Sequence, residues 1–326
     1  MAEPAQEAPD TLPGGAELLE GFRQVLREDD YSPNTRQSYL RFVEPFLDDN
    51  PRPEQLDRYD VGRYILTWHN QFSKNTMKLA TSALIKFYKY LKFFHGYRQA
   101  DEVINHIRDL KGEFFRTQPF NPDPMNEKEL QTLFQYTLGD NNRAIRRRCM
   151  VTILLGTGLR VSEFCRLKKD QIVTHEPGVQ SHIMVAGGKT ASAHRKIPLH
   201  RDFKYTDRWI LGERVTEALD RYREVRPPAR DEADDEYYFL SERGTPISRR
   251  SVQSMFTRLC KKSGLQEERK KRDESTLSVH NLRHTFATRL AMQGANAHQI
   301  KAILGHASVA TSQAYIRLLE RVGPDS

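Results

Sequence analysis

Cysteine is scarce in this sequence of 326 residues: Cys149, Cys165 and Cys260 are the only three, and none sits in a C-x-x-C pair. An odd, dispersed set excludes a disulfide scaffold and a zinc finger. No run approaches the roughly 18 to 20 apolar residues of a membrane span. The start, MAEPAQEAPDTLPGG, lacks the basic opening and apolar centre of a signal peptide, so the cytoplasm is the expected location. No internal repeat is visible. The glycines at 156 and 158 belong to neither a G-x-G-x-x-G nor a Walker loop, so they are not a phosphate cradle.

What the chain does have is charge. Lys and Arg number 51 against 43 Asp and Glu, a net +8, with 38% hydrophobic residues. That mixture is too apolar for wholesale disorder, and the length suits about two domains. The first 20 residues hold five acids (Glu3, Glu7, Asp10, Glu17, Glu20) and no base, leaving the remainder at +13. A positive body fits a polyanionic partner, because phosphate contacts release condensed counterions. It fits a basic soluble enzyme equally well.

Residues 1–14 read as a flexible leader. Helical pattern starts near Ala16. Ser32-Pro33 signals a second helix, since Ser32 can cap it and Pro33 suits the first helical position. Further helices are expected over 60–71 and 74–94. On the latter, Met77, Ala80, Leu84, Phe87, Tyr88 and Leu91 share one side, with Lys78, Lys86, Lys89 and Lys92 roughly opposite. The apolar stripe is core. The lysine stripe is either a solvated face or one that tracks phosphates. The stretch 111–124 carries three prolines and reads as a linker, its core 113–124 separating a helical domain at 15–112 from a second domain at 125–320, with a short tail at 321–326. Asn126 with Glu129 forms a capping box that restarts helix over 126–138. Helices are expected at 142–158, 213–226, 248–263, 280–293 and 296–304, and two short strands at 182–186 and 194–199. The acidic run 231–236 and the charged segment 266–274 read as exposed loops. The fold class is therefore mainly α with a small antiparallel sheet.

Four segments could carry chemistry: GTGLRVSE (156–163), the turn holding Lys189, HNLRHTFAT (280–288), and LGH (304–306) followed by Tyr315. Each has an ordinary reading. Arg160 could be a cation at a helix C-terminus, Lys189 a hairpin-tip lysine, and Tyr315 a core tyrosine. His280 and His284 stand four apart, yet no carboxylate or cysteine completes a metal site around them. Together the set suits metal-free attack on a phosphodiester. Two guanidinium groups can neutralise charge on the nonbridging oxygens. A tyrosine, pKa about 10 when free, can attack if a histidine takes its proton. A lysine can protonate the leaving oxygen.

This ordered set resembles the tyrosine recombinase (phage integrase) family, nearest to its Xer-like and integrase-like members. TGLRVSE, GGKT with RKIPL, HNLRHTFATRL and LGHASVATSQAY span the second domain. SPNTRQSYLRFV and TSALIKFYKYL look more loosely like the family's helical, SAM-like core-binding domain. The resemblance implies that Tyr315 is the nucleophile, forming a 3′-phosphotyrosyl link to DNA. Arg160 and Arg283 would clamp the phosphate, Lys189 would be the general acid, His280 would move a proton and His306 would support the phosphate. Glu163 would orient Arg160, and His284 and Thr285 would be structural neighbours. It further implies duplex DNA as substrate, four protomers on two sites exchanging strands through a Holliday junction, no cofactor, and a possible accessory DNA-bending or activating protein. Two rival readings share the motifs: DNA relaxation of the type IB topoisomerase kind, and a noncatalytic DNA-binding protein using 296–316 as a helix–turn–helix. The hairpin departs from the family's G-K-G-x-K-x-R, so Lys196 is the alternative to Lys189. An insertion is expected at 200–212, and only 11 residues follow Tyr315.

Overall fold

The computed structural model describes residues 12–115, 120–175, 177–186, 194–199 and 214–322. Most of the leader, Lys189, the 200–212 insertion and the end of the tail lie outside the described residues. The chain divides into two compact units, residues 1–119 and 120–326.

The first unit is all helix: α1 (Gly15–Glu28), α2 (Pro33–Asp49), α3 (Arg58–His69), α4 (Lys74–His95) and α5 (Ala100–Glu113). Ser32 caps α2 by accepting from the Thr35 amide, with Pro33 at the first turn. Asp57 closes a capping box on α3. Ser73 caps α4, and Gly96 ends it at φ 65°, a left-handed conformation suited to glycine. α4 is the central helix. Met77, Ala80, Leu84, Phe87, Tyr88 and Leu91 are buried, and Ala83 and Tyr90 widen the buried arc beyond one stripe. α1 passes close to α4, since a Cβ on Gly21 would collide with the Tyr90 hydroxyl. α5 has no counterpart among the expected helices. It runs through 111–113, because the prolines that signal a linker begin only at Pro119. Its buried face, Val103, Ile104 and Ile107, joins the same core.

The second unit opens with α6 (Glu127–Gln135), capped by Asn126 and Glu129 as the sequence signals. α7 (Asn142–Thr157) is apolar on nearly every side in its last turns and ends at Gly158, φ 60°. α8 (Val161–Phe164) follows directly. The sheet has three antiparallel strands in the order β1 (Ile172–Val173), β2 (His182–Val185) and β3 (Arg195–Pro198). Val185 pairs with Arg195 and Ile183 with Ile197. β1 is too short to leave an alternation in the sequence. Next come α9 (Val215–Glu224), α10 (Glu232–Asp235), α11 (Arg249–Lys262), α12 (Leu265–Lys271), α13 (Val279–Met292), α14 (Ala297–Leu304) and α15 (Val309–Val322).

Two expected loops are helices. Residues 231–236 contain α10, capped by Asp231, which accepts from the Asp234 amide. The 266–274 segment contains α12, and its polar sequence conceals a buried cation. Arg269 is 2% exposed and forms ion pairs with Asp123 at 2.7 Å and Glu129 at 2.8 Å. Composition suggests a solvated loop because it counts charges without their partners; a charge paired on both sides can be buried.

The three cysteines are buried and form no disulfide, and burial pushes the Cys165 and Cys260 thiols up to about 12. Among the described residues, no helix is long and apolar enough to cross a membrane.

Candidate active site

The site is built on the C-terminus of α14. The last turn of a helix leaves carbonyls without intrahelical partners, and three successive ones here each accept from a different arginine. Ile303 O accepts from Arg195 Nε at 2.7 Å, Leu304 O from Arg283 at 2.7 Å and Gly305 O from Arg160 at 2.7 Å. The negative end of the helix dipole favours these cations. Gly305, at φ 66°, then turns the chain so that His306 follows immediately.

Each arginine has a second anchor. Arg283, 3% exposed, donates to Gly158 O at 2.6 Å. Gly158 is required there: its φ is positive, and a Cβ would collide with Phe286 and Leu304. Arg160 and Arg195 converge on Glu163. Arg160 contributes its amide and Nη1, each at 2.8 Å; Arg195 contributes two guanidinium nitrogens, at 3.0 and 2.9 Å. Burial alone would raise the Glu163 carboxyl, but Arg195 and then Arg160 hold it down at about 2. Arg160 keeps its side chain partly exposed, at 37%. Burial first, and Arg160 second, makes the charge on Arg283 costly. A dianionic transition state between the two arginines would relieve that cost.

Tyr315 lies on α15 and is 1% exposed. Its ring stacks on His306, with centroids 6.0 Å apart and planes 6° from parallel. Burial raises its hydroxyl to about 12, against the lowering influence of Arg283. His306 Nδ1 is 2.8 Å from the Ser312 hydroxyl. Burial, then Arg283 and Arg160, drives His306 down to about 3, so its ring is neutral at neutral pH.

The histidine that meets the tyrosine is not the one the sequence singles out. His284 Nδ1 lies 2.8 Å from the Tyr315 hydroxyl. His280 sits exposed one turn earlier on α13, its ring edge-on to His284 at 4.9 Å. Desolvation lowers His280, with Arg283 and Arg160 adding to the effect. The signal for His284 was present as the i, i+4 spacing from His280, which places both rings on one helix face. Arg195 is the other site contact that the motifs do not single out. Its cue is position: it alternates with exposed Lys196 along β3 and therefore faces inward with Ile197. Thr285 is structural, accepting from the Met125 amide and donating to Asn281 O.

Lys189 lies outside the described residues, in the connection between β2 and β3. Lys196 is exposed on β3. In the first unit, Lys86 pairs with Asp29, and Lys92 with Asp101 at 2.6 Å. Lys78 is half-buried, and Lys89 is half-buried with no such partner among the described residues. No group of His, Cys, Asp or Glu among the described residues could hold a metal ion.

Comparison with known proteins gives a consistent picture. The profile of the phage integrase family matches residues 124–321, and that of the phage integrase N-terminal SAM-like domain matches residues 18–92. Tyrosine recombinase XerC of Staphylococcus epidermidis is 27% identical over 304 residues, covering 91% of each chain. Tyrosine recombinase XerD of Listeria monocytogenes is 27% identical over 308 residues, covering 92% of this chain and 93% of its own. Among solved structures, a lambda integrase dimer bound to a COC′ core site shares the fold. Its TM-score is 0.70 at 18% identity, over 94% of this chain and 78% of that one.

Proposed function

The chain belongs to the phage integrase family, and on that premise we propose that it is a site-specific DNA recombinase working through a 3′-phosphotyrosyl intermediate. The observation that carries this reading is the gathering of Arg160, Arg283, His306 and Tyr315 around one helix end. A phosphodiester held by the two guanidinium groups has its developing charge neutralised by fixed donors, which need no reorganisation during reaction. Tyr315 attacks phosphorus, and the 5′ oxygen leaves with a proton from a general acid, the role assigned to Lys189, with Lys196 the alternative. His306 donates to a nonbridging oxygen, and Glu163 holds Arg160 in register. The covalent bond conserves the energy of the broken backbone bond, so a 5′ hydroxyl of a partner duplex can attack it and restore DNA without ATP or metal.

The relatives named tyrosine recombinase align over nearly the whole of this chain. That supports recombination over relaxation or simple DNA binding. We extend the reading to duplex DNA as partner, a tetramer on two sites, and an accessory DNA-bending or activating protein. Lys78, Lys86, Lys89 and Lys92 are assigned to backbone phosphates; the carboxylates paired with Lys86 and Lys92 would be exchanged for phosphate on binding.

The test is covalent trapping. Purified protein is mixed with labelled fragments of its own genome and analysed for SDS-stable adducts. Wild type should form them, and Tyr315→Phe should form none while still shifting DNA on a native gel. Adducts that persist in Tyr315→Phe would remove the nucleophile assignment. Shifted DNA without any adduct would favour a binding protein.

A further inference from the structure

Building on the recombinase reading, we infer that His284 is a catalytic residue, the immediate proton acceptor for Tyr315. The resemblance gives His280 a part in proton transfer, and the fold puts His284, not His280, against the tyrosine hydroxyl. Among the described residues, His284 alone is within hydrogen-bond distance of the reacting oxygen, at 2.8 Å. His280 touches His284 and makes no hydrogen bond to Tyr315 among the described residues. Phe120 covers the pair, its ring 5.4 Å from His284 and 5.8 Å from Tyr315 while itself 44% exposed. His284 approaches Tyr315 from α13.

The surroundings suit this role. His284 is faced by His280 and Arg283 from its own helix, Asp123 from the 120–126 segment, His306 from the turn after α14, and Tyr315 from α15. Desolvation, then His280 and Arg283, lowers it to about 4, so the ring is neutral at neutral pH, and in the tautomer with its proton on Nε2 the Nδ1 atom accepts from Tyr315. As the Oη–P bond forms, the Tyr315 proton passes to Nδ1. The P–O5′ bond breaks, and its electron pair leaves on the 5′ oxygen, which takes a proton from the general acid. In the return step the 5′ hydroxyl gives that proton back and attacks phosphorus. Tyr315 Oη then leaves and recovers its proton from His284. A general base of this kind contributes on the order of 100- to 10,000-fold.

The experiment measures the rate of covalent adduct formation between pH 5 and 10, on nicked duplexes of a fragment that wild type traps. His284→Asn places an amide oxygen near the position of Nδ1, keeping an acceptor without a base; His284→Ala removes both. Folding is checked by native gel shift on the same duplex. Both variants should be at least about 100-fold slower at pH 7. Their rates should climb about tenfold per pH unit as ionisation of the phenol replaces the lost base, while wild type stays nearly flat. Added imidazole should partly rescue His284→Ala. Variants that cleave as fast as wild type, or faster, overturn the inference, as does a slow variant with a flat pH profile. If His284→Ala fails to fold, His284→Asn decides alone. Failure of wild type to trap any fragment overturns the recombinase reading and this inference with it. A wild-type adduct with indifferent His284 variants overturns only the inference.

Discussion

Arginine chemistry at this site is a matter of single atoms. Arg283 spends two of its guanidinium nitrogens on Gly158 O and Leu304 O. A lysine keeps the charge but cannot reproduce a rigid fork that is anchored on one side while offering donors on the other. Arg283→Lys should therefore bind DNA nearly as wild type does while forming the covalent adduct about 100- to 1,000-fold more slowly. Single-turnover cleavage beside a gel shift checks this, and a rate within about threefold of wild type would remove Arg283 from charge stabilisation. At the same scale, the identities of Arg160, Arg283, His306 and Tyr315 were readable because the motif preserves their order. The contacts of Arg195 and His284 were not. Arg195 reaches Glu163 from a strand 32 residues away, and His284 reaches Tyr315 from 31 residues away. No local pattern encodes such distances.

At the scale of elements, most long periodic helices were legible, α5 being an exception, and short polar ones were not. α4 and α13 carry strong caps and apolar spacing. α12 has neither, and exists because Arg269 on it finds Asp123 and Glu129 from the start of the unit. The same lesson governs the lysines of α4. A helical wheel gives their direction but not the acids that neighbouring helices bring to them. Lys86 and Lys92 already have carboxylate partners, so a phosphate must compete for them, whereas Lys89 has no such competitor among the described residues. Lys89→Ala should flatten the slope of log affinity against log salt by about 0.9, the share of a single phosphate. Lys86→Ala should flatten it less. Titrations between about 50 and 200 mM salt measure both; equal and negligible changes would make the stripe a solvated face.

At the scale of the whole molecule, the second unit holds the groups proposed for catalysis in a core expected to be acid-sensitive. His284 and His306 are lowered from 6.5 to about 4 and about 3, so the unfolded chain binds protons that the folded one refuses. Stability from these two histidines is present above about 6.5 and declines as pH falls towards their folded values. Glu163, lowered from 4.5 to about 2, acts with the same sign over a more acidic window. Hydrogen exchange at the amides of α13 and α15 should therefore lose protection between pH 7 and 5, after correction for the intrinsic rate. Unchanged protection would mean that the histidines are solvated and not buried neutral.

The sequence by itself determined the class of fold and the candidate residues from which the site is built. Residue type, order and periodicity are local properties, and a cap or an apolar stripe acts over one or two helical turns. Only the tertiary structure decided which groups touch. The convergence of three arginines on Ile303, Leu304 and Gly305, the pairing of Arg195 with Glu163, and the choice of His284 over His280 as the neighbour of Tyr315 all depend on how α13, α14, α15 and β3 pack. The buried charges of Glu163, Arg195 and Arg283 and the hydroxyl of Tyr315 find their partners on distant segments, and those partners are fixed by the packing of the core.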